Sequence, residues 1–206
     1  MNSSTDPAQQ GERPITDRRL ARMREVLERR HDDLVVVLEN IHDAHNASAI
    51  LRSCDAFGVG RIALVYTDQE FPEISSGVAA KVQKWLQIDR FDSAEGCVSA
   101  LHEEGITVYA TALRDDAQDY LDVDFSGPSA IVLGNEHAGC SAEMVALADA
   151  GIIVPMVGFV QSLNVSVAAA VVMAEIARQR RQRVPAWTAR KSELELSWIE
   201  RESSPR

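Results

Sequence analysis

Short apolar runs alternate with longer segments of helical apolar spacing along most of the chain. The run Leu34–Leu38 is unbroken Leu and Val, which is typical of a strand buried on both faces of a sheet. Further short runs predict strands at 61–66, 86–91, 106–111, 129–133 and 152–154. The segments between them predict helices at 16–30, 47–57, 94–104, 142–148 and 164–183, and a loop followed by a helix at 72–83. This alternation predicts an α/β fold with a mostly parallel sheet covered by helices on both faces.

The two ends of the chain differ from the central pattern. The first helix is basic, and Thr16 or Asp17 is expected to cap it. The turn-rich segment that begins at Pro185 is expected to be loosely ordered, although Trp187 and Trp198 could pack locally. The chain is therefore divided into a disordered tail, a basic helix, one central domain and a C-terminal tail, at 1–13, 14–33, 34–183 and 184–206.

Composition excludes several classes of protein. The chain has 206 residues, of which 46% are hydrophobic and 25% charged, so it can bury a core and is neither a disordered chain nor a disulfide-built miniprotein. The sequence contains no apolar run of membrane-spanning length and begins without a signal-peptide stretch. Its three cysteines are far apart and form no CxxC motif, which favours reduced thiols and a cytoplasmic location.

The net charge of −10 is unevenly distributed. Residues 32–177 carry a net charge of −16, whereas 11–31 carry +3 and 178–191 carry +6. Basic segments at both ends of an acidic body could contact nucleic-acid phosphates, and they could equally be solvated helix faces.

Polar side chains concentrate in three loops at the predicted carboxyl ends of strands, where α/β sheets bind ligands. The loop 39–46 leads into a helix, which Asn46 could cap and whose second turn would contain Arg52. The loop 134–139 has a glycine at each end, which permits close approach of a ligand to the backbone, and it contains Glu136. The alternative is that this loop is simply a tight turn between a strand and a helix. The loop 154–166 enters a helix through Gln161, Ser162 and Asn164, and capping would explain Asn164 or Ser166 but not all four of these polar residues.

Common nucleotide and nucleophile motifs are missing from the sequence. It has no G-x-G-x-x-G, no phosphate-binding P-loop and no G-x-S-x-G elbow. His42 and His45 lie three residues apart, but no further ligand cluster accompanies them, so no metal site is expected. An ordinary dinucleotide-binding enzyme is therefore disfavoured.

Taken in order, the three loops resemble the three motifs of the SpoU family of RNA 2′-O-ribose methyltransferases, in the SPOUT superfamily. The matching segments are HNASAILR at 45–52, IVLGNE at 131–136, and IVPM with QSLNVSVA at 153–156 and 161–168. The resemblance covers about residues 18–183. The basic first helix, the QSLNVSVA segment and the Arg-Gln-Arg at 178–180 are most similar to the TrmH branch, which methylates guanosine 18 of tRNA.

The resemblance implies a trefoil-knotted, Rossmann-like SPOUT fold and a homodimer with active sites at the subunit interface. It implies S-adenosylmethionine as cofactor, bound by Thr111, Leu133, Gly134, Val154, Met156 and Leu163. It assigns catalytic or site-shaping roles to Arg52, Asn46, Glu136, Ser162 and Asn164. It offers Arg19, Arg22, Arg178, Arg180, Arg181 and Arg183 as contacts for tRNA phosphates.

The expected reaction joins a poor nucleophile, the ribose 2′-hydroxyl, to an activated sulfonium methyl, so positioning and removal of one proton are the tasks of the protein. The resemblance implies that Arg52 acts on the 2′-hydroxyl proton. It could remove that proton as a base, or it could stabilise the developing alkoxide. The second role stays open because a guanidinium pKa above about 12 makes arginine a reluctant base. Methylation of ribosomal RNA or of another tRNA site is the alternative substrate. A non-catalytic RNA-binding module is the alternative of a different class.

Overall fold

A seven-stranded sheet, parallel at every strand pair, forms the centre of the molecule. The computed structural model describes residues 14–67, 70–72 and 82–203. The strands in chain order are β1 (His31–Glu39), β2 (Val59–Val65), β3 (Gln87–Phe91), β4 (Thr107–Thr111), β5 (Gln118–Asp119), β6 (Ser129–Leu133) and β7 (Ala150–Ile153). Their order across the sheet is β3-β2-β1-β6-β4-β7-β5. The predicted α/β class and parallel sheet are confirmed, whereas the trefoil knot stays a prediction.

Helices cover both faces of this sheet. They are α1 (Asp17–Arg29), α2 (Ala44–Ala56), α3 (Ala94–Glu103), α4 (Ala142–Leu147), α5 (Val165–Arg180) and α6 (Ala189–Ser203). Thr16, one of the two residues expected to cap α1, does so, and Ser141 and Asn164 cap α4 and α5. None of the helices in these described ranges is long and apolar enough to cross a membrane.

The unbroken apolar run in β1 serves two cores at once. Leu34, Val36 and Leu38 belong to the core beneath α2 and α5, while Val35 and Val37 belong to the core beneath α3 and α4. Successive side chains of a strand point to opposite faces, so a strand between two helical layers needs apolar residues at every position. The prediction that this strand is buried on both faces is confirmed.

The C-terminal segment is more ordered than its sequence suggested. Residues 189–203 form α6, which packs against α1. Trp198 is buried with Met23 and Leu27 of α1, and its ring meets that of Trp85 edge to face at 5.0 Å. The expectation of a loosely ordered tail is therefore wrong for α6, because its apolar side chains complete a third, smaller core.

Two further predictions about elements need correction or stay open. Helix α2 begins at Ala44 and is capped by Asp43, whose side chain accepts a hydrogen bond from His45 N at 2.7 Å; the cap is not Asn46. The two-residue strand β5 was not predicted, because a strand that short has no periodicity to detect. The predicted loop and helix at 72–83 falls mostly on 73–81, outside the described residues.

Candidate functional site

The first and second polar loops meet where β1 and β6 end side by side. The two strands pair in register from Leu34 to Leu38, so the segments that follow them emerge at the same edge of the sheet. The third loop enters α5 beside them. A cavity of about 330 Å³ lies between the three loops. Its lining includes His42, Asn46, Glu136, Ser162, Leu163 and Asn164.

Glu136 joins the first two loops through its carboxylate. One oxygen accepts a hydrogen bond from the main-chain N–H of His42 at 3.0 Å. The other accepts from the N–H of Asp43 at 3.1 Å and from Asn46 Nδ2 at 3.0 Å. Burial raises the pKa of Glu136, but these hydrogen bonds outweigh it and leave the pKa below its ordinary value. Glu136 is therefore an ionised positioning group and a poor proton acceptor near neutral pH.

Asn46 connects Glu136 to the third loop by hydrogen bonds. While its Nδ2 donates to Glu136, its Oδ1 accepts from Asn164 Nδ2 at 3.0 Å. The amide of Asn46 is thus oriented unambiguously, since a flipped amide would face a carboxylate with its oxygen. Asn164 in turn caps α5 by accepting from Ser166 N at 2.8 Å. The structure thus brings Asn46, Glu136, Ser162 and Asn164 to one cavity, and their roles there stay a prediction.

Arg52 lies apart from this group in the folded chain. It is exposed on α2 and does not line the cavity. At about 100° of rotation per residue, the six positions between Asn46 and Arg52 place them about 120° apart around the helix. A single chain therefore does not bring Arg52 to the cavity, contrary to the expectation that both face one site.

The segment after β6 is shaped by a close backbone approach. A Cβ added to Gly134 would lie 2.1 Å from Cys140 N and 2.2 Å from Gly139 C, so a side chain does not fit. Asn135 and Gly139 exchange two main-chain hydrogen bonds, of 2.9 and 2.8 Å, that close the loop. Thr111, at the end of the adjacent β4, donates its hydroxyl to Val132 O at 2.7 Å. Leu133 is buried, so only its main chain is positioned to meet a ligand.

The third loop leaves its polar main-chain groups available. In the described part of the chain, no main-chain hydrogen bond involves residues 154–163. Val154, Met156 and Leu163 are half-buried there, with apolar side chains. Unpaired N–H and C=O groups beside apolar side chains suit an adenine ring and ribose hydroxyls. These residues therefore fit the adenosine part of S-adenosylmethionine.

Sequence reasoning missed a second set of residues that holds the first loop in place. Glu39, buried at the end of β1, accepts from Ser141 N at 2.9 Å and from Ser141 Oγ at 2.5 Å. Asn40 has a positive φ of 48°, a conformation that Asn tolerates, and its main-chain oxygen accepts from Asn135 Nδ2 at 2.8 Å. The sequence signal for this set was Glu39 itself, because a carboxylate directly after an unbroken apolar strand needs hydrogen-bond partners when it is buried.

The six arginines offered for RNA contact fall into different environments. Arg180 is only 2% exposed, donates to Phe125 O at 2.7 Å and pairs with Asp33 at 3.1 Å. The prediction that Arg180 contacts phosphates is therefore wrong, because its guanidinium is buried and bonded to groups within the protein. Arg181 is exposed, and although its main-chain N–H donates to Arg178 O, its guanidinium has no hydrogen-bond or ion-pair partner among the described residues. The remaining four are exposed to differing degrees but paired: Arg19 with Glu202, Arg22 with Glu25, Arg178 with Glu175 and Arg183 with Asp33.

Known proteins share this architecture and sequence. A curated tRNA (guanosine(18)-2′-O)-methyltransferase of Thermus thermophilus is 47% identical over 168 residues, covering 82% of this chain and 86% of its own. The crystal structure of the A. aeolicus TrmH/SpoU tRNA modifying enzyme superposes with a TM-score of 0.84 at 34% identity, covering 91% and 98% of the two chains. The SpoU methyltransferase AviRb from Streptomyces viridochromogenes, crystallised with AdoMet, gives a TM-score of 0.62 at 28% identity over 74% of this chain and 62% of its own.

The family model named SpoU rRNA Methylase matches residues 33–174, from the beginning of β1 into α5. This range contains all three loops of the site and every strand of the sheet except the first two residues of β1. The chain belongs to the SpoU methylase family.

Proposed function

We propose that this protein transfers a methyl group from S-adenosylmethionine to the ribose 2′-hydroxyl of guanosine 18 in tRNA. The main support is the 47% identical relative that carries this activity in its name and spans nearly the same length. The site supports it independently, because three loops converge on a cavity whose polar groups are fixed in orientation. A tRNA substrate would place the activity in the cytoplasm.

S-adenosylmethionine is the proposed cofactor, held by main-chain groups of 133–134 and 154–163 with Thr111 beside them. When bound, it supplies a methyl on a positively charged sulfur, already activated for transfer. AviRb, which shares this fold and family, was crystallised with this cofactor. The closed 134–139 loop admits no side chain at Gly134, so glycine is required where the main chain leaves β6 for the site.

The protein then has to place the 2′-hydroxyl in line with that methyl. We assign Asn46, Ser162 and Asn164 to contacts with the substrate's phosphate and ribose, since their amide and hydroxyl groups line the cavity. Glu136 holds Asn46 in position rather than accepting a proton, because its pKa lies below the ordinary value. Arg52 serves the 2′-hydroxyl as base or as stabiliser of the alkoxide.

The position of Arg52 supports a homodimer in which each Arg52 serves the partner's cavity. Apolar side chains are exposed on the third loop and at the start of α5: Val157 and Phe159 fully, Val160 at 62% and Val167 at 47%. Such a patch is typical of a surface that another chain covers. Wild-type protein is expected to sediment as a dimer and Phe159→Asp as a monomer; a monomeric wild type would contradict the homodimer.

The experiment that tests the function is methyl transfer from radiolabelled S-adenosylmethionine to tRNA and, in parallel, to ribosomal RNA. We expect label in tRNA as 2′-O-methylguanosine at position 18, and its loss in Arg52→Ala. An Arg114→Ala variant, whose side chain lies outside the cavity and pairs with Asp116, is the control. Label in ribosomal RNA alone would show that ribosomal RNA, and not tRNA, is the substrate. Cofactor binding without methyl transfer to either RNA would favour a non-catalytic RNA-binding module.

A further inference from the structure

A second cavity opens beside the first, at the carboxyl ends of β2 and β3. Its volume is about 420 Å³, within the range of small-molecule sites. Leu64 and Phe91 form part of its wall, and Tyr66 and Phe71 contribute aromatic rings. The polar lining consists of Glu70, Arg90 and Asp92. The proposed function leaves this cavity without a role.

The aromatic wall has the geometry of a stacking platform. The Tyr66 and Phe71 rings meet edge to face, with centroids 5.4 Å apart and planes at 88°. The Arg90 guanidinium lies over the Phe71 ring, 5.9 Å from its centroid. Unpaired RNA bases bind by stacking on such rings and on arginine planes. A flat, heteroaromatic ligand therefore suits this wall better than an aliphatic one.

The charged residues select among flat ligands. Glu70 and Asp92 are exposed carboxylates that can only accept hydrogen bonds when ionised, and Arg90 can only donate. Guanine offers two adjacent donors, N1–H and the N2 amino group, and on another edge two adjacent acceptors, O6 and N7. Arginine pairs with the O6/N7 edge in bidentate fashion, and a carboxylate matches the donor edge. Adenine, cytosine and uracil have neither the paired donors nor the paired O6/N7 acceptors.

The second cavity adjoins the proposed methyl-transfer site. Tyr66, in its wall, donates its hydroxyl to Ile41 O at 3.1 Å. The next residue, His42, lines the first cavity and donates its N–H to Glu136. The loop 40–43 therefore lies between the two cavities. Because ribose and base of one nucleotide are directly bonded, a nucleotide with its ribose at the first cavity can extend its base towards the second.

We propose that this second cavity binds the guanine base of the nucleotide whose ribose is methylated, with Phe71 stacking on the base and Glu70, Asp92 and Arg90 reading its edges. The assignment rests on the proposed function for the identity of the nucleotide. It adds the residues that distinguish guanosine from other nucleosides, none of which belongs to the three motifs.

The test compares tRNA transcripts that differ only at position 18, where one carries guanosine and the other inosine, which lacks the N2 amino group. Equilibrium binding and the kcat/KM of methyl transfer are measured separately for each transcript. Wild type is expected to prefer guanosine by about tenfold or more in both, the usual effect of losing a hydrogen bond to a charged group. The double variant Glu70→Gln/Asp92→Asn is expected to bring both ratios close to one.

Two controls separate this proposal from folding and from the function itself. Glu143→Gln, an exposed carboxylate on α4, should keep the wild-type ratios, and Phe71→Ala should weaken binding of the guanosine transcript by about tenfold. If wild type binds both transcripts equally, or the double variant keeps the wild-type ratios with an unchanged melting temperature, the proposal is overturned. Preference in binding without any methyl transfer would support this site and contradict the proposed function.

Discussion

The carboxylate of Glu136 holds three nitrogen donors, all from the segment 42–46, which lies at least 90 residues away in sequence. Its negative charge matters, because a neutral amide in its place would turn an N–H₂ group towards donors. Glu136→Gln should therefore release the loop at 42–46 and lower kcat by about tenfold to a hundredfold, the scale of lost hydrogen bonds to a charged group. Steady-state methylation kinetics would measure this.

The matched control for that variant is Glu103→Gln, an exposed carboxylate on α3. It should retain the wild-type kcat. A Glu136→Gln enzyme with wild-type kcat would show that the ordered amide of Asn46 is not needed for turnover.

Two neighbouring arginines should respond to substitution in opposite ways. Arg180→Ala would leave the carbonyl of Phe125 without its donor and Asp33 with only Arg183 of its two arginine partners, and should lower the free energy of unfolding by about 3 kcal/mol. Arg181→Ala should change that free energy by less than about 0.5 kcal/mol. It should instead weaken tRNA binding and reduce the slope of log K against log salt by about 1, if Arg181 contacts a phosphate.

Urea unfolding and salt-dependent tRNA binding of both variants provide the measurement. A stable Arg180→Ala protein with weakened RNA binding would reverse the assignment. The burial of Arg180 was detectable in the sequence, since it follows Ile176 by four positions in the apolar stripe of α5 that contains Val172 and Met173. Its membership of a basic cluster directed the prediction towards RNA instead.

At the level of elements, α6 depends on one aromatic residue. Trp198 contacts α1, the Trp85 ring and the Arg30 guanidinium. Trp198→Ala should lower the free energy of unfolding by about 3 to 5 kcal/mol, as large-to-small core substitutions do. Trp187, which is 45% exposed, is the control, and its replacement by Ala should cost far less. Equal effects of the two substitutions in urea unfolding would contradict the packing of α6.

Most elements could be predicted from the chain, and the exceptions have physical reasons. The strand β6 and the caps Thr16, Ser141 and Asn164 follow from local patterns, because burial and capping leave marks within a few residues. The start of α2 was misplaced because Asn46 is a good cap in isolation, and only the distant Glu136 shows that its amide is engaged elsewhere. Helix α6 was missed because its acidic residues gain their partners from α1, as in the pair Arg24–Glu195 at 2.5 Å.

For the molecule as a whole, stability should fall in mild acid. His31 begins β1, where burial, and next the nearby Arg180 guanidinium, lower its pKa to about 4 from an ordinary value near 6.5. Arg183 and Lys191 act in the same direction, and Asp33 opposes them. Between these two pKa values the unfolded chain binds a proton at His31 that the folded chain does not bind. The contribution of neutral His31 to the free energy of unfolding is therefore full above pH 6.5 and is lost as the pH falls towards 4.

Urea unfolding between pH 7 and pH 4.5 measures this loss. Buried or paired carboxylates with lowered pKa values, such as Glu175, weaken the fold in the same direction, so the informative quantity is a difference. His31→Gln cannot take up this proton and should show a shallower decline than wild type. Identical slopes for the two proteins would contradict a buried, neutral His31.

The whole-molecule features were the least accessible from sequence. The motifs indicated which residues share a site, but the hydrogen bonds that order Asn46 and Asn164 join segments 90 and 118 residues apart. The exposed position of Arg52 has no sequence signal, since it depends on where α2 begins. The second cavity was not predicted, because Tyr66, Phe71 and Arg90 become neighbours only when β2 and β3 pair.

The central claim is that the methyl group goes to the 2′-oxygen of guanosine 18. The most direct test is methyl transfer to two tRNAs that differ by one atom, with guanosine or 2′-deoxyguanosine at position 18. The account predicts stoichiometric labelling of the first and none of the second, although both bind with similar affinity. Equal labelling of both tRNAs would place the methyl group on another atom or nucleotide and contradict the account.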